Sequence, residues 1–222
     1  MEIPFDSLSP SDRYRLLIRT VVPRPIAMVS TISPDGAVNV APYSFFNAVA
    51  ADPPTLMFCP GNRLDGTDKD TMRNVRSVEE GGTGEFVVNV SVESMARQVA
   101  AAAEDLPYGE SELDLTGLTT MPSQSVAVPR LAETPVAFEC RTGQILELAP
   151  GRPAGGNVVF GEILHVHIDD AVLDETGKVD PERLRAIGRM GGLGYSSTRD
   201  HFVMHRGRAA LDGPDPFGEE SQ

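Results

Sequence analysis

Pro23-Arg24-Pro25-Ile26-Ala27-Met28-Val29-Ser30-Thr31-Ile32-Ser33-Pro34-Asp35-Gly36-Ala37-Val38-Asn39-Val40-Ala41-Pro42-Tyr43-Ser44-Phe45-Phe46-Asn47 is the stretch that decides the architecture of this chain. Residues 26–32 are apolar on both faces, as a strand buried on both sides requires. Ser33-Pro34-Asp35-Gly36 reverses the chain, because proline presets φ and glycine accepts positive φ. Residues 37–46 return as the hairpin partner. The second half of that strand, 39–47, dissolves into small residues, hydroxyls, an amide and aromatic rings. A strand built only to fill a core would continue with Val, Ile and Leu. This one lets a flat ligand approach and offers groups to orient it.

Upstream, Ser9-Pro10 reads as an N-cap with proline at the first helical position, and Tyr14, Leu17 and Ile18 recur at helical spacing. The pattern predicts a helix over 10–19, stopped by Pro23 and Pro25. Downstream, Pro53-Pro54 ends a connection, and strands are predicted over 55–59, 86–91, 136–148 and 158–168. In the third of these, Val136, Phe138 and Cys140 alternate with Glu139 and Arg141, which predicts one wet face. Helices are predicted over 71–79, 94–103 and 182–187, with loops over 61–70, 104–125, 150–157 and 188–197. Short strands without regular strand–helix alternation argue against a doubly wound α/β fold. A mainly-β, closed or nearly closed antiparallel barrel with a few peripheral helices is expected. The length suits one domain over 1–206, followed by a mobile acidic tail over 207–222.

Thirty-two acidic against 19 basic residues leave a formal charge of −13, which disfavours a nucleic-acid partner. No apolar run approaches the ~20 residues of a membrane-spanning helix, so no membrane partner is expected. The first residues lack a basic start and apolar core of a signal peptide, and a cytoplasmic location is the expectation. An anionic ligand needs a local concentration of cations; Arg63, Lys69, Arg73 and Arg76 supply one. Cys59 and Cys140 read as free buried thiols, and no zinc spacing is present. His165 and His167 share a strand face without a third ligand, so strand-face or interface histidines are expected rather than a metal site. The four glycines within 188–194 lack the Gly-x-Gly-x-x-Gly spacing and follow a helix, which rejects a Rossmann loop.

Lys69-Asp70-Thr71 reads as the start of a helix capped by Asp70 or Thr71, with Lys69 one residue outside and able to reach a phosphate. This motif joins a set: the run 23–47, Asp52-Pro53-Pro54, Asn74, Glu85-Phe86-Val87-Val88-Asn89, Gly161-Glu162-Ile163, Asp180-Pro181 with Leu184, and Arg189-Met190-Gly191-Gly192 with Tyr195. Together they resemble the flavin reductase-like family, the flavoredoxin-type FMN-binding split β-barrels, over about residues 4–198.

The resemblance implies a Greek-key split barrel that dimerises, with FMN near the subunit interface. Carried onto matching positions, Ser30 and Thr31 would hydrogen-bond the flavin ring. Ala41, Pro42, Tyr43, Ser44 and Phe45 would run along the isoalloxazine and ribityl chain. Ser44 and Asn47, with Lys69, Asp70 and Thr71, would take ribityl or phosphate oxygens; Arg24 and Tyr195 are further contacts. No catalytic side chain is expected, because the flavin carries the chemistry. The implied activity is hydride transfer from NAD(P)H to FMN and on to free flavin, a redox partner protein or another acceptor. The alternatives are an FMN-binding electron carrier without nicotinamide activity, and a module whose flavin serves structure or sensing.

Overall fold

Ser9 opens the first helix as its sequence predicts: its hydroxyl accepts from the Asp12 amide, and Pro10 occupies the first turn. The computed structural model describes residues 1–213 and 216, so most of the expected acidic tail beyond 213 lies outside the described residues. In chain order the elements begin with α1 (Pro10–Thr20), β1 (Arg24–Pro25), β2 (Ala27–Ile32), β3 (Val38–Tyr43), β4 (Phe46–Ala51) and β5 (Pro54–Phe58). They continue with α2 (Asp70–Val75), β6 (Glu85–Val90), α3 (Ala96–Ala101), α4 (Glu112–Thr116), β7 (Thr120–Met121) and β8 (Arg130–Leu131). The long hairpin β9 (Val136–Glu147) and β10 (Asn157–Ile168) follows. Then come α5 (Pro181–Leu184), β11 (Ile187–Arg189), β12 (Tyr195–Ser197) and α6 (Ala209–Asp212). Among the described residues no helix is long and apolar enough to cross a membrane.

Seven strands form one antiparallel sheet in the order β3-β2-β6-β9-β10-β5-β4. Its two edge strands, β3 and β4, are consecutive in the chain and separated only by Ser44 and Phe45. Two residues span well under about 10 Å, so the sheet must curl until its edges meet at that corner. The edges meet without sharing a ladder. The result is a mainly-β split barrel, and the β5-to-β6 connection carrying α2 gives it its Greek-key crossing.

β2 is buried on both faces, as its composition predicts. Ala27 and Val29 face an interior filled by Tyr43, Leu56, Phe58, Phe86 and Val88, with Met72 and Val75 of α2 packed into the same cluster. Ile26 and Met28 pack the other way, against Val40, Val92, Met95, Val99 and Leu131. The interior rings stack in series: Tyr43 on Phe58 and Phe58 on Phe86, each with centroids 5.1 Å apart. Gly161 of β10 lies directly over the last ring, and a Cβ there would stand 2.2 Å from Phe86 Cζ. Gly161→Ala is therefore expected to lower stability by about 1–3 kcal/mol through overpacking. A urea midpoint equal to that of the unsubstituted protein would show that the ring yields freely.

Several expectations change. The connection before Pro53 contains β4, and the loop over 188–197 contains β11 and β12, which join β1 in a three-stranded sheet. α4 forms inside the loop over 104–125. The helix expected over 182–187 stops at Leu184, because Arg185 adopts φ 50°. The helix expected over 71–79 ends at Val75, and a separate 3-10 turn, Val78–Glu80, is closed by a Ser77–Glu80 capping box. Glu139 is not on a wet face. It is 1% exposed and accepts from the amides of Gln124 and Ser125 at 2.6–3.0 Å.

Candidate functional site

The polar end of β3 lies against the start of α2, and a recess of about 140 Å³ opens between them. Ala41, Pro42 and Tyr43 form one wall and Lys69, Asp70 and Thr71 another, so six of the expected site residues come together here. Neither Asp70 nor Thr71 caps the helix. Lys69 occupies the N-cap position without a side-chain cap bond, and Asp70 is the first helical residue. The Asp70 carboxylate is turned to Arg63, at 3.4 Å, and to the Gly109 amide, at 3.3 Å.

Behind the recess a buried polar cluster ties three elements together. Asn39 donates to Thr31 Oγ1 at 3.2 Å and to Thr71 Oγ1 at 2.9 Å, and Asn74 donates to Thr31 Oγ1 at 3.0 Å. Ser30 donates to the Pro129 carbonyl at 2.7 Å and accepts from Asn89 at 3.2 Å. The hydroxyls of Ser30 and Thr31 are thus engaged within the protein; Thr31 belongs to the cluster behind the wall, whereas Ser30 lies on the other face of β2. The Tyr43 hydroxyl stands beside Thr71 without reaching hydrogen-bond geometry, and burial pushes its pKa up. A buried hydroxyl left unpaired is costly, and this one belongs to a wall of the recess.

Glu112, on α4, also lines this recess and was carried by no sequence signal. Its carboxylate accepts from the Val40 amide at 2.9 Å, satisfying a group on the open edge of β3. Burial pushes the Glu112 carboxyl above its ordinary value near 4.5. The stability tied to its protonated form is present below about pH 4.5 and is lost as pH rises through the raised folded value. Glu112→Gln is expected to keep the Val40 bond and to reduce the fall in stability as pH rises above the ordinary carboxyl value. Equal pH slopes for the two proteins in urea unfolding would contradict this.

The remaining expected residues lie round the corner from the recess. Arg24, Ser44, Phe45 and Asn47 line a largely apolar groove of about 380 Å³, with Leu17 of α1 on its far side. Arg24 is 4% exposed, and burial lowers its pKa. Its guanidinium donates to the carbonyls of Ile18 and Val21, each at 2.7 Å, to Ser44 Oγ at 3.3 Å and to the Met190 carbonyl at 3.2 Å. Arg24 therefore fixes the end of α1, the β3–β4 corner and the small sheet relative to one another. Tyr195 lines neither recess. It stacks on Arg189, 4.4 Å from guanidinium carbon to ring centre, and Arg189 is the register partner of Arg24. His165 and His167 lie on β10, opposite Glu139 and Ala137.

A split barrel with two recesses on either side of its open corner defines a class of protein, and the comparisons place the chain within it. The flavin reductase like domain model matches residues 18–188, and the chain belongs to that family. An uncharacterised protein of Halalkalibacterium halodurans is 39% identical over 208 residues, covering 93% of this chain and 96% of the relative. Among solved structures, nitrilotriacetate monooxygenase component B from Bacillus cereus matches with a TM-score of 0.83 and 32% identity, covering 92% of this chain and 98% of that one. The 2-nitrobenzoate 2-nitroreductase NbaA of Pseudomonas fluorescens matches with a TM-score of 0.81 and 30% identity, covering 94% and 97%.

Proposed function

We propose that the chain binds FMN along residues 41–47 and serves as an NAD(P)H-dependent flavin oxidoreductase. The observation that carries this reading is that one run of chain, residues 41–47, borders both recesses. Ala41, Pro42 and Tyr43 at the end of β3 line the smaller recess together with Lys69, and Ser44 to Asn47, through the corner into β4, line the apolar groove. Neither the smaller recess nor a single cation suits a whole nucleotide; an elongated ligand with one anionic end and one planar end suits the pair. Lys69, with Arg63 behind it, would hold the phosphate, and Ser44 and Asn47 the ribityl oxygens. Phe45 and the groove would flank the ring, with Thr31 stiffening the wall of the smaller recess from behind.

Bound FMN would supply the one- and two-electron chemistry, so the chain need contribute only binding, orientation and exclusion of water. The relation to a monooxygenase component and to a nitroreductase supports an oxidoreductase. Half-exposed Leu17, Phe45 and Val49 beside the groove support a homodimer that covers them. The acceptor would be a small molecule or a redox partner protein, in the cytoplasm. The segment that covers the smaller recess, residues 102–106, favours a second reading, an electron carrier that retains its FMN.

Purified protein is expected to be yellow and to release flavin on denaturation. Anaerobic mixing with NADH or NADPH should bleach the flavin band. Protein that neither carries nor takes up FMN overturns the cofactor reading. Flavin that binds but stays oxidised with both nicotinamides overturns the donor and selects the carrier.

A further inference from the structure

The recess beside Lys69 is lined on one side by residues 102–106, and Asp105 in that segment brings an anion of its own. Asp105 accepts from Arg63 Nη1 at 3.2 Å and stands 3.9 Å from Lys69 Nζ. The Leu106 carbonyl takes Arg63 Nη2 at 3.1 Å, the Gly109 amide binds Asp70 at 3.3 Å, and Tyr108 lies 4.3 Å from the Arg73 guanidinium. These five contacts, made by Asp105, Leu106, Tyr108 and Gly109, all go to residues 63–73, so residues 105–109 are strapped to the helix-start side of the recess. The Asp105 side chain is 60% exposed, and an ion pair so exposed adds little to folding stability. Its position matters more. Both cations that line the recess, Arg63 and Lys69, are already held by a carboxylate. The enclosed volume of about 140 Å³ is also well short of the ~300 Å³ at which small-molecule pockets begin.

We infer that Asp105 is an internal competitor for the anion subsite: its carboxylate holds Arg63 and Lys69 until a flavin phosphate replaces it and residues 105–109 swing away. The inference rests on the FMN reading above and adds a gate to it. Displacement exchanges one anion for another, so Asp105 raises the dissociation constant of a phosphorylated flavin without touching that of an unphosphorylated one. It thereby sets how readily FMN exchanges.

The test is fluorescence titration of the full chain with FMN and with riboflavin. Asp105→Asn should bind FMN about fivefold more tightly, with faster association, and riboflavin unchanged. Tyr108→Ala, which loosens the strap at another attachment, should act in the same direction and more weakly. FMN affinity unchanged or weakened in Asp105→Asn, while Lys69→Ala weakens it, overturns the gate and leaves the site standing. Unchanged FMN affinity in Lys69→Ala overturns the phosphate placement and the gate together.

Discussion

Lys69→Ala is expected to raise the dissociation constant for FMN about 30-fold and to leave riboflavin within about twofold. A hydrogen bond to a charged group contributes roughly 1.5–3 kcal/mol, and a 30-fold change, about 2 kcal/mol, falls within that range. The chain carries a net charge of −13, and Asp70 and Glu112 line the same recess. Arg63 cannot substitute fully, because it is committed to Asp70 as well as Asp105. Arg63 remains in place in the variant and accounts for the residual binding. Lys69 is about 39% exposed, so the difference between the two proteins should shrink as salt is added. Equal losses for FMN and riboflavin would place the ring, rather than the phosphate, beside Lys69.

Glu139→Ala should destabilise the fold by about 3 kcal/mol, a fall of roughly 8 °C in Tm for a chain of this size. The carboxylate is buried and receives three contacts from the amides of Gln124 and Ser125, at 2.9, 3.0 and 2.6 Å. Truncation leaves both amides without an acceptor and opens a void. Glu139→Gln keeps one acceptor oxygen and should lose about half as much. FMN affinity should be unaffected in either variant, since Glu139 lines neither recess. A Tm unchanged in Glu139→Ala would mean that water replaces the carboxylate without cost.

Glu139 also illustrates where reading the sequence fails. Alternation along β9 is real, but the outward face of a strand is wet only if nothing covers it. Here residues 123–128 come back across it, and no local pattern announces that return. β2, β3 and the turn between them were readable, because burial on both faces and a Pro-Asp-Gly reversal leave their marks in adjacent residues. β4 was not. It is an edge strand whose residues from Asn47 to Ala51 are exposed, so no hydrophobic period was imposed on it. β11 and β12 are three residues each; β12 pairs with β11, and β11 depends on β1, far away in sequence, for its other partner.

The site divides along the same line. Ala41–Tyr43 and Lys69–Thr71 meet as expected, because contiguous runs carried each wall. Glu112 and Asp105 entered from the loop over 104–125, where position depends wholly on tertiary packing. Arg24 was expected as a ligand contact, whereas its hydrogen bonds run to carbonyls and a hydroxyl of its own chain.

The unsealed corner between β3 and β4 gives the barrel a direction in time as well as in space. β2 exchanges hydrogen bonds with neighbours on both sides, whereas β4 pairs only with β5. Opening that releases β4 need break one ladder; opening that releases β2 must break two and expose both hydrophobic clusters. Amides from Phe46 to Ala51 should therefore take up deuterium long before those from Ala27 to Thr31, with β5 and β3 between them. A ligand lying along residues 41–47 would bind where the protein opens first, and its arrival should slow exchange at the seam more than at the centre of the sheet.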